Sequence, residues 1–221
     1  MFKPHTLSIL KNFAQINQGI IIREGSVLRT MSIRKNIAAE TPVEDTFNRE
    51  IPLYDLNEFM ATMNLFGKPE IDFSDEYILI SDSENTKNKI KYFYSSPNVI
   101  ISPPEKPVSM PEPDAKFSIT ASNFEQIIKA SSVMRLKSFG VNKNGISVYN
   151  ENSVGNIYSI ECPVEFTCAD DFKFQIAVEN LKIIAGDYNV SISSKGLAKF
   201  ECKSPAFPDL VYYIALDVDS N

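Results

Sequence analysis

Residues 96–115 read SPNVIISPPEKPVSMPEPDA, a stretch with prolines at 97, 103, 104, 107, 111 and 113. Proline lacks a backbone N–H and has a fixed φ, so this stretch is excluded from a helix or an interior strand. Such a composition favours an extended, semi-rigid spacer. A proline-rich ligand for another domain is the alternative, but the position midway along the chain favours the spacer. We therefore predict a connector at 96–115 between domains at 1–95 and 116–221.

The first half shows two helical patterns. Apolar residues recur on one side of a helix from Thr6 to Gln18, which Gly19 ends. A second pattern runs from Asp55 to Phe66, with the Asp55 carboxylate at the positive end of the helix dipole. Gly25 and the pair Thr41-Pro42 indicate turns. Alternating or β-branched runs predict strands at 20–23, 27–33, 35–39, 47–53, 70–73, 77–81 and 89–94.

The second half repeats this order of elements. A strand at 116–120 precedes a helix at 122–135, capped by Ser122 or Asn123. A short helix is predicted from Val178 to Ile184, ending at Gly186. Further strands are predicted at 139–142, 146–149, 157–161, 172–176, 188–193, 197–202 and 211–218. Each half thus contains a helix, several strands, a second helix and three strands, which predicts a duplicated α+β unit with mostly antiparallel strands.

Composition and charge narrow the class of protein. The chain has 221 residues, 43% of them hydrophobic, and carries 22 Lys plus Arg against 28 Asp plus Glu. Such an acidic balance argues against a protein that coats DNA. The acids are unevenly placed, however, because residues 1–23 contain Lys3, Lys11 and Arg23 and no carboxylate. The N-terminus lacks the pattern of a signal peptide and no apolar run is long enough for a membrane span, so we expect neither export nor a membrane.

Catalytic and metal-binding residues are scarce. His5 is the single histidine, which we expect on a frayed terminus as a surface residue. Cys162, Cys168 and Cys202 have no metal-ligand spacing, so we expect reduced thiols and no metal. The pairs Asp170-Asp171 and Asp217/Asp219 fit solvated carboxylates better than an acid–base pair. Together with the absence of a phosphate-binding glycine motif, this predicts no enzyme and no cofactor.

Four blocks of sequence resemble the sliding clamps of large tailed bacteriophages, the processivity factors of DNA polymerases. The first is LKNFAQINQGI at 10–20, which resembles the first helix and turn of that family. The second is YDLNEF at 54–59, which resembles the start of its second helix. The others are KFE at 199–201 and YYIALDVDS at 212–220, which resemble its last strands. The blocks occur in the family's order along nearly the whole chain.

The resemblance implies a closed ring. Family clamps have two similar domains per subunit, and three subunits form a homotrimer around duplex DNA. Antiparallel sheets form the outer wall, and four helices per chain line the inner face. The implied partners are the DNA polymerase and an ATP-driven clamp loader, with a further role in late viral transcription, in the cytoplasm of the infected bacterial host. The partner site is expected around the connector and residues 214–218.

A weakly positive inner wall would suit a ring that slides, because tight phosphate contacts would hold it in place. Lys129 and Lys182 match basic positions of the family's third and fourth helices. The helix bearing Lys11 has no acid and suits the inner wall, whereas the second helix offers no cation. The predicted DNA-facing residues are Lys3, Lys11, Lys129, Arg135, Lys137 and Lys182, with His5 as a possible addition.

Two alternatives remain open from the sequence. One is a β-rich structural protein of the virion built on a similar duplicated unit. The other is a single-strand DNA-binding protein, which would stack bases on aromatic residues. Its candidate residues are Tyr92, Phe93, Tyr94, Tyr212 and Tyr213, although alternate strand positions of this kind are ordinarily core residues.

Overall fold

The computed structural model describes residues 2–85, 87–151, 155–167 and 173–217. The chain forms two compact units, the first from Met1–Ile33 and Pro42–Pro103, and the second from Arg34–Thr41 and Pro104–Asn221. This division assigns 96–103 to the first unit and 104–115 to the second. Cys168, Asp170, Asp171, Asp219 and Val218 lie outside the described residues, so the expectations for them stay predictions.

The first unit contains helices α1 (Pro4–Ile16) and α2 (Leu56–Met63). The buried side of α1 includes Ile9, Leu10, Phe13 and Ile16, as its apolar spacing predicts, together with the polar Thr6 and Asn12. Both helices therefore occur where the sequence predicts them, with ends displaced by one to three residues. Asp55 caps α2, because its carboxylate accepts a hydrogen bond of 2.9 Å from the Glu58 N–H.

A buried asparagine ends α1 and anchors the start of the connector. The Asn17 Nδ2 donates to the carbonyl oxygens of Met31 at 2.8 Å and Ile101 at 2.9 Å, and its Oδ1 accepts from the Gly19 N–H at 3.1 Å. One side chain thus satisfies three backbone groups inside the first unit. Pro97–Val99, which precedes Ile101 in the predicted connector, forms a short 3-10 turn.

The described residues up to 93 form seven strands: β1 (Ile20–Ile22), β2 (Gly25–Met31), β3 (Ile37–Phe47), β4 (Ile51–Leu53), β5 (Pro69–Phe73), β6 (Tyr77–Asp82) and β7 (Lys89–Phe93). Strands β1 and β4 pair antiparallel, and β5, β6 and β7 form an antiparallel three-stranded sheet. The predicted turn at Thr41-Pro42 is wrong, because β3 continues through it. Pro42 lies two residues past Glu40, the last β3 residue paired with the C-terminal strand Val211–Ala215, so its missing N–H interrupts no bond of that ladder.

In its described residues, the second unit contains α3 (Ala121–Met134), the first part of β3 and nine further strands. Thr120, rather than Ser122 or Asn123, caps α3 by accepting from the Asn123 N–H at 3.2 Å. The strands are β8 (Ala115–Ile119), β9 (Ser138–Asn142), β10 (Gly145–Tyr149), β11 (Tyr158–Glu161), β12 (Glu165–Phe166), β13 (Phe174–Ala177), β14 (Tyr188–Ser193), β15 (Leu197–Cys202) and β16 (Val211–Ala215).

Two antiparallel sheets organise this unit. One has the strand order β11-β10-β9-β13, and the other runs β12-β8-β14-β15-β16 and continues into the first half of β3. The core of this unit contains fully buried aromatic side chains, which include Phe139, Phe174, Tyr188, Phe200 and Tyr212. The predicted α+β class with mostly antiparallel strands is confirmed.

The fourth helix is absent from the described residues, so the prediction of a helix at Val178–Ile184 is wrong. A 3-10 turn, Val178–Asn180, occupies its start. The backbone of Ile184 bonds instead to two tyrosines: its N–H donates to the Tyr212 hydroxyl at 3.2 Å, and its carbonyl accepts from the Tyr188 hydroxyl at 2.5 Å. These long-range hydrogen bonds satisfy both backbone groups of Ile184 without a helix.

Candidate nucleic-acid interface

The polar side of α1 is exposed and carries Lys11. Because the opposite side is buried, Ser8, Lys11 and Gln15 face the solvent. Lys3 is the N-cap residue of α1 and is also exposed, but its backbone N–H donates to Asp45 Oδ2 at 2.9 Å, which places a carboxylate beside the start of the helix. The positive charge of this helix therefore depends chiefly on Lys11.

His5 lies in the first turn of α1 and is half-buried. The expectation of a surface residue on a frayed terminus is therefore wrong. The helix begins at Pro4, whose fixed φ suits the first helical position, and this orders the chain before His5.

Helix α2 presents an acid that is hydrogen-bonded by a tyrosine. The Tyr92 hydroxyl donates to Glu58 Oε2 at 3.1 Å and to the Asp55 carbonyl at 3.2 Å, and its ring packs 5.2 Å from that of Phe59. Burial, and then the bond to Glu58, raise the pKa of Tyr92. The pKa of Asp55 is lowered, first by the bond from the Glu58 N–H and further by the Gln18 amide. This arrangement links strand β7 to the first turn of α2.

Lys129 is exposed on α3, whose buried residues are Phe124, Ile127 and Ser131. Ser131 is satisfied within the helix, because its hydroxyl donates to the Ile127 carbonyl at 2.7 Å. Glu125 lies one turn before Lys129, at a spacing where opposite charges attract on a helix surface. As on α1, burial of the apolar side determines which side of the helix exposes the cation.

Arg135 and Lys137 follow the last turn of α3 and are both exposed. Arg135 has φ 55°, a left-handed conformation, and the N–H of Leu136 returns to the Ser131 carbonyl at 2.9 Å. Both cations line one hollow of about 690 Å³ on the second unit. Lys182 is exposed too, but it lies in the irregular segment after the 3-10 turn, so its placement on a fourth helix is wrong.

The structure therefore brings Arg135 and Lys137 together at one hollow, which spacing alone does not indicate. Lys3 and Lys11 share α1, and Lys129 lies on α3 outside that hollow. The link between Tyr92 and Glu58 was also missed, because the partners are 34 residues apart and form no local motif.

Most aromatic candidates for base stacking are occupied within the fold. Tyr212 and Tyr213 are buried, and the Tyr94 hydroxyl donates to the Ser74 carbonyl at 3.1 Å. Phe93 is the exception, with 62% of its surface exposed. This arrangement favours the interpretation of these residues as ordinary strand residues over a surface for single-stranded DNA.

Cys162 and Cys202 are free thiols, and burial raises the pKa of Cys162. Within the described ranges, no group of three or more His, Cys, Asp or Glu could hold a metal ion. No helix in the described part of the chain is long and apolar enough to cross a membrane.

Comparisons with known proteins give the chain a family. The profile of the family described as "DNA polymerase processivity factor" matches residues 3–101. The sliding clamp of Vibrio phage KVP40 is 30% identical over 96% of this chain and 96% of its own length. The sliding clamps of Escherichia phage RB69 and Enterobacteria phage T4 are each 29% identical, over 97% of this chain and 96% of their own length.

A solved structure is similar in fold alone. The proliferating cellular nuclear antigen of Entamoeba histolytica matches with a TM-score of 0.63 and 13% identity, covering 98% of this chain and 97% of that one. The sequence relatives favour the sliding-clamp family over the virion-protein and single-strand-binding alternatives. The chain belongs to the sliding clamps, the family of phage DNA polymerase processivity factors.

Proposed function

We propose that this chain is one subunit of a homotrimeric ring that encircles duplex DNA and tethers the replicative polymerase. The observation that carries the proposal is the contrast between a net charge of −6 and an α1 whose exposed polar side has Lys11 and no carboxylate. A ring needs only weak attraction to phosphates, because topology retains the DNA. Its role is mechanical and needs no catalytic group.

The DNA-facing residues of this proposal are cations of both units. All are exposed, and Lys11 and Lys129 lie on helices whose opposite sides are buried. Their number is small, so the affinity of the protein for free DNA should be low and should fall with salt. The proposed set is Lys3, Lys11, Lys129, Arg135, Lys137 and Lys182.

Ring closure requires sheet edges that can pair between copies. Strand β7 is at an edge of the three-stranded sheet and exposes Lys89 and Lys91. Strand β11 is at an edge of the four-stranded sheet and exposes Glu161. Opposite charges favour the pairing of β7 from one copy with β11 from the next.

The other edges of these two sheets are less suitable for that pairing. Strand β5 exposes Glu70 and Asp72, which would repel Glu161. Strand β13 is buried from Phe174 to Ile176. Charge and burial thus both support the proposed pairing of β7 with β11.

The remaining parts of the proposal concern partners. We expect an ATP-driven loader to open the ring, and a tail of the polymerase to bind near the connector and residues 214–218, of which Val218 lies outside the described residues. The connector exposes Val99, which suits an apolar contact. A role in late viral transcription and a location in the cytoplasm of the infected host belong to the same proposal.

The test measures the mass of the protein in solution and its retention on circular and linear DNA. Light scattering at micromolar concentration should give the mass of a trimer, or a rise toward it with concentration. After incubation with an ATP-driven loader, the protein should remain on nicked circular DNA and be lost from linear DNA with free ends. Equal retention on both DNAs would exclude the ring.

A further inference from the structure

The edge strands β7 and β11 each carry a tyrosine that bonds to a helix of the same unit. On β7, the Tyr92 hydroxyl donates to Glu58 Oε2 of α2 at 3.1 Å. On β11, the Tyr158 hydroxyl donates to Gln126 Oε1 of α3 at 2.7 Å. The partners are 34 and 32 residues apart in the chain, so both bonds depend on the tertiary fold. The two strands that the ring proposal pairs are thus bound to helices by the same kind of contact.

The alternation of side chains along each strand directs the tyrosine toward its helix. On β7, Tyr92 is half-buried, whereas its neighbours Lys91 and Phe93 are exposed. On β11, Tyr158 is half-buried and Ser159 is exposed. Successive side chains of a strand point to opposite faces of the sheet. The exposed side of each edge strand is therefore separate from the side that holds the helix.

In the first unit, this contact fixes the start of α2. The Tyr92 hydroxyl also donates to the Asp55 carbonyl at 3.2 Å. The end of α1 holds the same turn from another direction, because the Leu56 N–H donates to the Gln18 carbonyl at 2.8 Å. The Gln18 amide donates in addition to the Asp55 carboxylate. Strand β7 is thereby linked, through the first turn of α2, to the end of α1.

In the second unit, the contact lies one turn from a proposed DNA-facing cation. Gln126 and Lys129 are three residues apart on α3 and are both exposed, so they are neighbours on the helix surface. The buried side of α3 packs on β10 and β11, but apolar packing is not directional. A hydrogen bond is directional, so the bond from Tyr158 restrains the rotation of the helix about its axis. A shift of β11 should therefore move the side of α3 that carries Lys129.

Edge strands respond to assembly because one side of their backbone is unpaired in a single subunit. Among the described residues, β7 pairs only with β6, and β11 pairs only with β10. Pairing with another copy would satisfy the outward N–H and C=O groups and reduce fraying of the strand. A tyrosine on an ordered strand then restrains its helix more strongly than a tyrosine on a strand that frays.

We propose that Tyr92 and Tyr158 are positioning residues that couple the pairing of subunit edges to the order of α2 and α3. When β7 of one copy pairs with β11 of the next, the two tyrosines restrain the helices on the two sides of that boundary. Linkage is reciprocal, so helices held through the tyrosines favour the paired state in return. The partner is a second copy of this chain, and the inference rests on the ring proposal.

Amide hydrogen exchange tests the coupling, with light scattering to give the mass of the protein at each concentration. In the parent protein, assembly should slow exchange in 56–63 and 121–134 about fivefold, the effect of one hydrogen bond of ordinary strength. Tyr92→Phe keeps the ring and removes the hydroxyl, so the slowing should be lost in 56–63 and kept in 121–134. Tyr158→Phe should do the reverse. At concentrations that give equal mass, each variant is the matched control for the other.

Variants at Glu58 separate the hydrogen bond from the packing of the ring. Glu58→Gln keeps an acceptor for the Tyr92 hydroxyl and should retain the slowing in 56–63. Glu58→Met keeps a side chain of similar length without the acceptor, so most of the slowing should be lost. If only the ring of Tyr92 mattered, Glu58→Met would behave as the parent does, which would contradict the proposal.

The remaining outcomes distinguish this inference from the ring proposal. The inference is wrong and the ring stands if the mass rises toward that of a trimer while exchange in the two helices is unaffected by assembly. It is also wrong if either tyrosine variant changes both helices alike, because the effect is then a general loss of stability. A mass that stays at one subunit at all concentrations would overturn the ring, and this inference with it.

Discussion

The hydroxyl of Tyr212 accepts a hydrogen bond of 3.2 Å from the backbone N–H of Ile184. Tyr188 completes the arrangement by donating to the carbonyl of the same residue. Burial raises the pKa of both tyrosines, which therefore stay neutral as the bonds require. This pair of bonds satisfies both backbone groups of Ile184 at the end of the non-helical segment after β13.

Replacement of Tyr212 by phenylalanine tests this role. Tyr212→Phe keeps the buried ring and leaves the Ile184 N–H without its acceptor, so the free energy of unfolding should fall by about 1–3 kcal/mol. Tyr54→Phe, at a residue that is 61% exposed, should change it by less than about 0.5 kcal/mol. Urea denaturation measures both, and equal effects would contradict the assignment.

Asp55 should make stability depend on pH. Its folded pKa is depressed below the ordinary value of 3.8, chiefly by the Glu58 N–H, so its contribution is present above that value and is lost as pH falls through the lower, folded pKa. Asp55→Asn keeps a capping oxygen but cannot titrate. The stability advantage of the parent over Asp55→Asn, measured by urea denaturation, should therefore shrink as the pH falls below about 4. An advantage that is constant with pH would refute this role.

Reversal of two proposed DNA-facing charges should impair DNA synthesis and leave the fold intact. Lys11→Glu combined with Lys129→Glu places negative charge on α1 and α3 and should lower loader-dependent, processive synthesis, most strongly at low salt. The control combines Lys68→Glu with Lys203→Glu, which alters the net charge equally at two exposed positions outside the connector and residues 214–218. Unchanged synthesis by the first variant would show that these helices do not face DNA.

Charge reversal at a sheet edge should weaken self-association. Lys89→Glu with Lys91→Glu gives β7 the same sign as Glu161 and should lower the mass observed by light scattering at a given concentration. Adding Glu161→Lys should restore part of it, because the charges are again opposite. Glu70→Lys with Asp72→Lys on β5 is the control for a change of charge at the other edge. If β5 proves sensitive and β7 does not, the proposed pairing is wrong.

The left-handed backbone conformation of Arg135 is expected to lower the stability of the protein. A left-handed conformation is unfavourable for any residue except glycine, so Arg135→Gly should raise the free energy of unfolding by roughly 0.5–1 kcal/mol. Arg135→Ala removes the same side chain and keeps the unfavourable conformation, so it should bring no such gain. Thermal and urea unfolding distinguish them, and equal stabilities would mean that the backbone there is unstrained.

Local patterns were sufficient for much of the fold. Helices α1, α2 and α3 were predicted because the apolar face of each lies within one short segment, with Gly19 marking the end of α1 and Asp55 the start of α2. The carboxylate of Asp55 is an example, since its partner is the backbone of Glu58 three residues away. The exposure of Lys11 and Lys129 follows equally from the helical period, because burial of one side leaves the other in solvent.

The sequence by itself determined the α+β class, the three helices, most strands and the resemblance to sliding clamps, since these depend on the order and spacing of nearby residues. Only the tertiary structure decided that β3 runs through Pro42, that Val178–Asn180 is a 3-10 turn, and that Arg135 and Lys137 meet at one hollow. The physical reason is that backbone groups bond to whichever partner the fold brings near. For Ile184 those partners, Tyr188 and Tyr212, are side chains that no local pattern connects to it.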